Sequence, residues 1–205
     1  MLVSELAKMV HENAVEHGWW EDEREAPEIL ALIHSEWSEA LEEARAGRPL
    51  VWYMCSACED EGPCVVDANT AIACGFDRAG KKPEGVAVEL IDGCIRILDY
   101  IGKLGVIVPG SEESDVVIEK LYTEKPFKDI ESWEKLPVLV AHLHFHTSAV
   151  MKIKEEFPAG RVVQMLLTLS IAMSWVKKQG IDPLAILLEK HEYNKTRPYK
   201  HGKRF

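Results

Sequence analysis

The sequence predicts an all-α fold, a helical bundle, on three observations. Apolar residues recur at helical spacing through most of the chain, alternating runs are scarce, and Gly and Pro punctuate the periodic stretches where helices end. With 205 residues the chain is long enough to bury a proper core, and residues 1–205 read as a single domain.

The first helix is expected over Val3 to His17, with Gly18 as its C-terminal cap and Trp19 and Trp20 following. A second runs from Pro27 to Ala46 and stops at Gly47, Arg48 and Pro49. Val51 to Met54 reads as a short strand, inside an insertion loop over about 49–83 that has Cys, Gly, Asp and Pro but no clear period. The third helix should start at Pro83, with proline in its first turn, and end at Leu104 before Gly105. A polar stretch, PGSEESD, leads into Val116 to Tyr122, whose type the pattern does not settle. Ser132 to Glu156 and Arg161 to Gln179 read as two amphipathic helices separated by Pro158 and Gly160. A last helix begins at Asp182, an N-cap with Pro183 after it, and fades into a basic tail over 195–205.

Composition narrows the function. A hydrophobic fraction of 47% and a charged fraction of 28% are those of an ordinary globule. We find no uninterrupted apolar run of roughly 18 residues and no export-type N-terminus, so neither a membrane partner nor export is expected. The five cysteines are an odd count, and four of them cluster between Cys55 and Cys74 instead of stapling distant segments. That usage fits a reducing cytoplasm. A net charge of −10 argues against nucleic acid as a partner. The tail nevertheless carries Lys195, Arg197, Lys200, Lys203 and Arg204 without a single acid, a composition suited to a small polyanion.

Acidic pairs carry the chemistry. On the second helix, counted from Glu36, the residues Ile29, Leu30, Ile33, Trp37 and Ala40 fall in an apolar arc of roughly 20° to 140°, and Glu36, Glu39 and Glu43 border it. The third helix is apolar around most of its circumference, leaving a stripe about 80° wide for Glu89, Asp92, Arg96 and Asp99. Charges removed from water need a partner, and Arg96 neutralises only part of this stripe. Residues three apart on a helix point the same way, and carboxylate oxygens are hard ligands suited to Mg²⁺ or Mn²⁺. Two such pairs facing each other, Glu36 with Glu39 and Glu89 with Asp92, make an all-oxygen site.

The spacing Glu36-Trp-Ser-Glu39 followed by Glu89-Leu-Ile-Asp92 resembles the signature of the MazG-like all-α nucleoside triphosphate pyrophosphatases. Gly18-Trp19-Trp20, LALIHSEWSEALEEAR, KPEGVAVELIDGCIRILDY and the terminal KHEYNKTRPYKHGKRF add to the likeness. The resemblance implies Mg²⁺ held by Glu36, Glu39, Glu89 and Asp92, and cleavage of a (d)NTP between its α and β phosphates. It also implies a homodimer or higher homo-oligomer, and contact of Lys190, Asn194 and Arg197 with the nucleotide. Glu43, one turn beyond Glu39, is a candidate to orient the attacking water, and Trp20 a candidate to stack on a base, against ordinary core packing.

Glu39 and Glu89 stand farther apart than the family's two signature halves, and the added length is the cysteine loop. Cys55, Cys58, Cys64 and Cys74 are candidate ligands of a structural zinc, with free thiols or a reversible disulfide as the alternatives. Cys94 belongs to the core. His142 and His146 share a helix face and His144 points away, so hydrogen-bonded or surface roles suit them better than one metal; His34 reads as a packed polar neighbour. Two rivals to the enzyme remain: a nucleotide-sensing protein without turnover, and a di-iron bundle, which would use Glu-x-x-His motifs the chain does not have.

Overall fold

The structure, a computed structural model, describes residues 1–55, 64–67, 81–105, 117–123 and 135–202. The architecture is all-α. Helices α1 (Val3–Glu16) and α2 (Ala26–Arg45) are followed by three short strands, β1 (Trp52–Cys55), β2 (Cys64–Asp67) and β3 (Pro83–Glu84). Then come α3 (Val86–Leu104), α4 (Ile118–Thr123), α5 (Leu136–Ala149), α6 (Pro158–Lys178) and α7 (Pro183–Lys195). Short 3₁₀ turns cover Val150–Lys152 and Tyr199–Gly202.

Helix α3 is the axis of the bundle, packed against α1, α2, α6 and α7. Its apolar girth explains the position: Leu90, Ile91, Cys94, Ile97 and Leu98 are all fully buried. Each such side chain removed from water contributes about 1.5–3 kcal/mol, so a helix apolar around most of its circumference is driven to the centre. On α2 the buried face is Ile29, Leu30, Ile33, Trp37 and Ala40, the arc that the period marks. Trp37 also satisfies its indole N–H, which donates to Thr147 Oγ1 of α5 at 3.0 Å. Helix α6 is long and apolar enough to cross a membrane by length and composition, although Arg161 and Gln164 interrupt its apolar run. In the fold 72% of that window is buried against its neighbours.

Local signals set the helix ends. Glu28 reaches back to accept the backbone N–H of Glu25 at 3.1 Å, and Asp182 accepts that of Leu184 at 3.3 Å, capping α2 and α7. Gly105 closes α3 in the left-handed region at φ 60°.

Several expected boundaries shift. Pro83 and Glu84 form an edge strand, so α3 starts three residues later than expected, at Val86. Proline suits an edge because it offers no N–H to a ladder. The strand expected at Val51 to Met54 is β1, central in an antiparallel sheet of order β2-β1-β3 whose other members have too few residues to show a period. Pro158 begins α6 instead of separating two helices, the residue type favoured at a first turn. The helix expected to reach Glu156 ends at Ala149, and Val116 to Tyr122 resolves into α4 from Ile118.

The sheet is tied to the helices that flank it. Ala87 N–H donates to Leu50 O at 2.9 Å, Trp52 Nε1 to Glu43 at 2.7 Å, and Tyr53 Oη to Glu189 at 2.6 Å. The tail after α7 folds back on the turn after α1. Gly18, at φ +78°, leaves room for the Tyr199 ring, which a Cβ there would meet at 2.1 Å. Lys200 N–H donates to His17 O at 2.9 Å alongside.

Candidate metal centre

Close approach of α2 and α3 builds the site. Trp37 on α2 presses on Gly93 of α3 so tightly that a Cβ there would lie 2.2 Å from the indole ring. Glu36 precedes Trp37 and Asp92 precedes Gly93, so the contact that seats the indole also faces the carboxylates toward each other. Glu36, Glu89 and Asp92 each offer an oxygen within 4.8 Å of the others'. Glu36 and Glu89 are buried.

Two cations partly balance the trio. Arg96 Nε donates to Glu36 Oε1, and Lys190 Nζ lies 2.8 Å from Asp92 Oδ2. Lys190 is 1% exposed and also donates to the carbonyl of Pro83 at 3.2 Å. Burial works to lower its pKa, but Asp92 and Glu89 hold it above the ordinary lysine value. Burial likewise raises Glu36, against the pull of Arg96. Glu89 makes no hydrogen bond or ion pair among the described residues. Burial first, and then Asp92 beside it, push its pKa up to about 8, with Lys190 pulling the other way. A buried carboxylate without a direct partner is costly, and either a proton or a bound cation relieves it.

The trio opens on a cavity of about 210 Å³. Glu39 lines it from α2, Asp99 and Ile95 from α3, and Trp19 and Trp20 from the turn after α1. Arg24, Lys82 and Arg197 bring positive charge to the same walls. Asp99 is fixed by His11 Nδ1 at 2.7 Å and by Trp20 Nε1, which donates to it at 2.9 Å. Acids on facing helices with cations around them suit a divalent ion carrying a polyphosphate. The donor set fits Mg²⁺ or Mn²⁺: three oxygens converge, and the exposed Glu39 lines the same cavity.

Other expected site residues fall elsewhere. Glu43 does not line the cavity; its carboxylate takes the Trp52 indole N–H and lies 3.7 Å from Arg48. Lys190 is turned to Asp92 and not to the cavity, because the face of α7 that carries it packs on α3. Asn194, Arg197 and Trp20 do line the cavity. Trp20 is held there by Asp99, by the His11 ring in an edge contact at 5.3 Å, and by Lys103 at 5.2 Å over its face. Lys200 reaches Asp22 at 3.5 Å and so helps fasten the tail; Lys203 and Arg204 lie outside the described residues.

Cys55 and Cys64 are directly paired in the β1–β2 register, whereas Cys58 and Cys74, and with them the zinc expectation, lie outside the described residues. Cys94 is buried in the core, as expected, and burial pushes its thiol far up. His144 stacks on His34, Nδ1 to Nδ1 at 2.7 Å, and His146 meets Gln164 at 3.2 Å, so both are hydrogen-bonded.

Sequence reasoning missed Asn13 and His191, two buried lining residues. The signal was present for both. Asn13 continues the buried α1 series Val3, Leu6, Ala7, Val10, and His191 sits in the α7 series Ile186, Leu187, Lys190, Asn194. A polar side chain on a core-facing stripe marks either an internal pairing or a site. Comparisons with family models, with curated proteins and with solved structures return no match for this chain.

Proposed function

We propose that this chain is a divalent-cation-dependent hydrolase of nucleoside triphosphates, deoxy or ribo, that releases the monophosphate and pyrophosphate in the manner of the MazG-like enzymes its acid motifs resemble. House-cleaning of the cytoplasmic nucleotide pool is its purpose in this reading, and a homodimer or higher homo-oligomer its working form. The observation that carries the proposal is the convergence of Glu36, Glu89 and Asp92 within 4.8 Å on a cavity that also presents Arg24, Lys82 and Arg197.

Glu36, Glu89 and Asp92 would hold Mg²⁺ or Mn²⁺. Bound there, the ion supplies charge neutralisation at phosphate oxygens and lowers the pKa of a coordinated water. The chain's own residues do the rest. Arg197, without an ion pair among the described residues, offers a planar pair of donors to phosphate. Arg24 adds positive charge along the cavity, beside Lys82, which is ion-paired with Glu84, favouring a substrate with several negative charges. Glu39 is exposed and lines the cavity, so it is better placed than Glu43 to take a proton from a water. Trp19, fixed under the Arg24 guanidinium at 5.2 Å, and Trp20 give the cavity a rigid aromatic wall.

The decisive experiment incubates the protein with each dNTP and NTP and Mg²⁺ and separates monophosphate, diphosphate, pyrophosphate and phosphate. Monophosphate with pyrophosphate is expected; diphosphate with phosphate rejects the reading. One observation favours a second reading, a nucleotide sensor without turnover: Arg96 and Lys190 already balance two of the three acids. Nucleotide binding with no pyrophosphate released selects it.

A further inference from the structure

We infer that Asn13, His191 and Asn194 form a subsite that reads the hydrogen-bonding edge of a nucleobase, an inference that rests on reading the cavity as a nucleotide site. Among the described residues, four buried side-chain polar atoms lack a hydrogen-bond partner: Asn13 Oδ1, His191 Nε2, Asn194 Oδ1 and Trp175 Nε1. Three of the four belong to residues lining the cavity of the acid trio. The three residues are 9%, 1% and 8% exposed.

Folded chains pair more than nine-tenths of their buried polar groups, because an orphan keeps its desolvation cost without return. Three orphans on one cavity therefore call for a partner that arrives from outside. Its chemistry follows from theirs. Two amides are neutral groups, and burial together with Lys195 lowers the pKa of His191, which favours its uncharged ring. The orphaned amide oxygens of Asn13 and Asn194 are acceptors, which cannot pair with phosphate oxygens but do pair with the ring N–H and exocyclic amino groups of a heterocycle. An amide offers an acceptor or a donor by turning over, and a neutral imidazole offers one of each.

Placement separates the two functions. Asn13 stands on α1 and the other two on α7, which pack together, whereas the trio belongs to α2 and α3. Apolar Val10, Ile29 and the Trp19 ring line the same cavity, as a flat heterocycle needs. A site built of buried polar groups rejects a base that leaves them unpaired, so base selectivity resides here.

The test titrates the full chain, in EDTA, with the four free deoxynucleosides by NMR chemical shift, and separately with inorganic tripolyphosphate and Mg²⁺ by calorimetry. We expect at least one nucleoside to bind, and Asn13→Leu and His191→Phe each to weaken it about tenfold or more. Replacing an orphan by an apolar group of similar size should leave Tm equal or higher. Tripolyphosphate affinity should stay within about threefold of the parent chain. No binding of any nucleoside, unchanged binding in Asn13→Leu, or an equal loss toward tripolyphosphate overturns the subsite; Asn13→Leu decides alone if His191→Phe does not fold. Hydrolysis is read separately: pyrophosphate release alongside a failed nucleoside test sinks the subsite only, and nucleoside binding without hydrolysis sinks the reaction only.

Discussion

Lys190 Nζ and Asp92 Oδ2 lie 2.8 Å apart in the interior, and the ammonium faces the acid trio. The lysine supplies from inside part of the positive charge that three converging acids require. Losing one partner of a buried pair costs about 3–5 kcal/mol, because the other charge stays buried and unpaired. Lys190→Met should therefore destabilise the cation-free protein by about that much in urea, and Asp92→Asn added to it should recover a good part. If Lys190→Met costs less than about 1 kcal/mol, the pair is not the internal counter-charge we describe.

Glu89 sets a pH dependence. Its folded pKa of about 8 stands above its ordinary 4.5, so between those values the folded chain keeps a proton that the unfolded chain has lost. Stability of the cation-free protein should thus fall as pH rises from about 4.5 to about 8, on the order of a few kcal/mol, and then level off. Mg²⁺ competes with that proton, so its apparent affinity should climb with pH and flatten above about 8. Denaturation and calorimetry at several pH values measure both. Glu89→Gln should flatten both profiles, and an unchanged slope in that variant would assign the dependence to another group.

Gly93 carries the α2–α3 spacing. With the Trp37 ring already 2.2 Å from where a Cβ would stand, Gly93→Ala must push the helices apart or move the indole off Thr147. Overpacking of this kind costs about 1–3 kcal/mol. The carboxylates on either side should suffer more than the fold, with Mg²⁺ affinity down about tenfold or more in a chain that still melts cooperatively. Smaller partners at position 37 test the geometry: Trp37→Leu in the Gly93→Ala background should restore part of the metal affinity, and a further loss contradicts the spacing argument.

How far the sequence was legible follows from what each signal sees. Periodicity placed α2 and α3 because their apolar residues face inward at a constant angle, and it set Glu36, Glu89 and Asp92 beside those faces. It treats a helix as an isolated cylinder, however, and so cannot register what arrives from elsewhere in the chain. Glu43 shares a helix edge with Glu39, but Trp52 of β1 comes to claim it. Lys190 comes forward only through the family resemblance, and α7 turns it inward to Asp92. Asn13 was hidden for the opposite reason, since one amide among Val3, Leu6 and Val10 reads as an interruption of the core, and only the cavity gives it a purpose.

Glu39 and Glu43 are one turn apart on α2 and should respond oppositely to mutation. Glu43 anchors the sheet through the Trp52 indole and is not on the cavity, so Glu43→Ala should lower stability by about 1–3 kcal/mol and leave metal-dependent turnover within a few-fold. Glu39 is exposed and has no hydrogen bond or ion pair among the described residues, so Glu39→Gln should change stability by less than about 0.5 kcal/mol. Loss of a carboxylate that takes a proton from water should nevertheless lower kcat by about 10²-fold or more. Urea midpoints beside steady-state rates separate the two. Equal activity losses in both variants would mean that the α2 edge acts as a unit, and a larger loss in Glu43→Ala would move the proton-accepting role one turn along the helix.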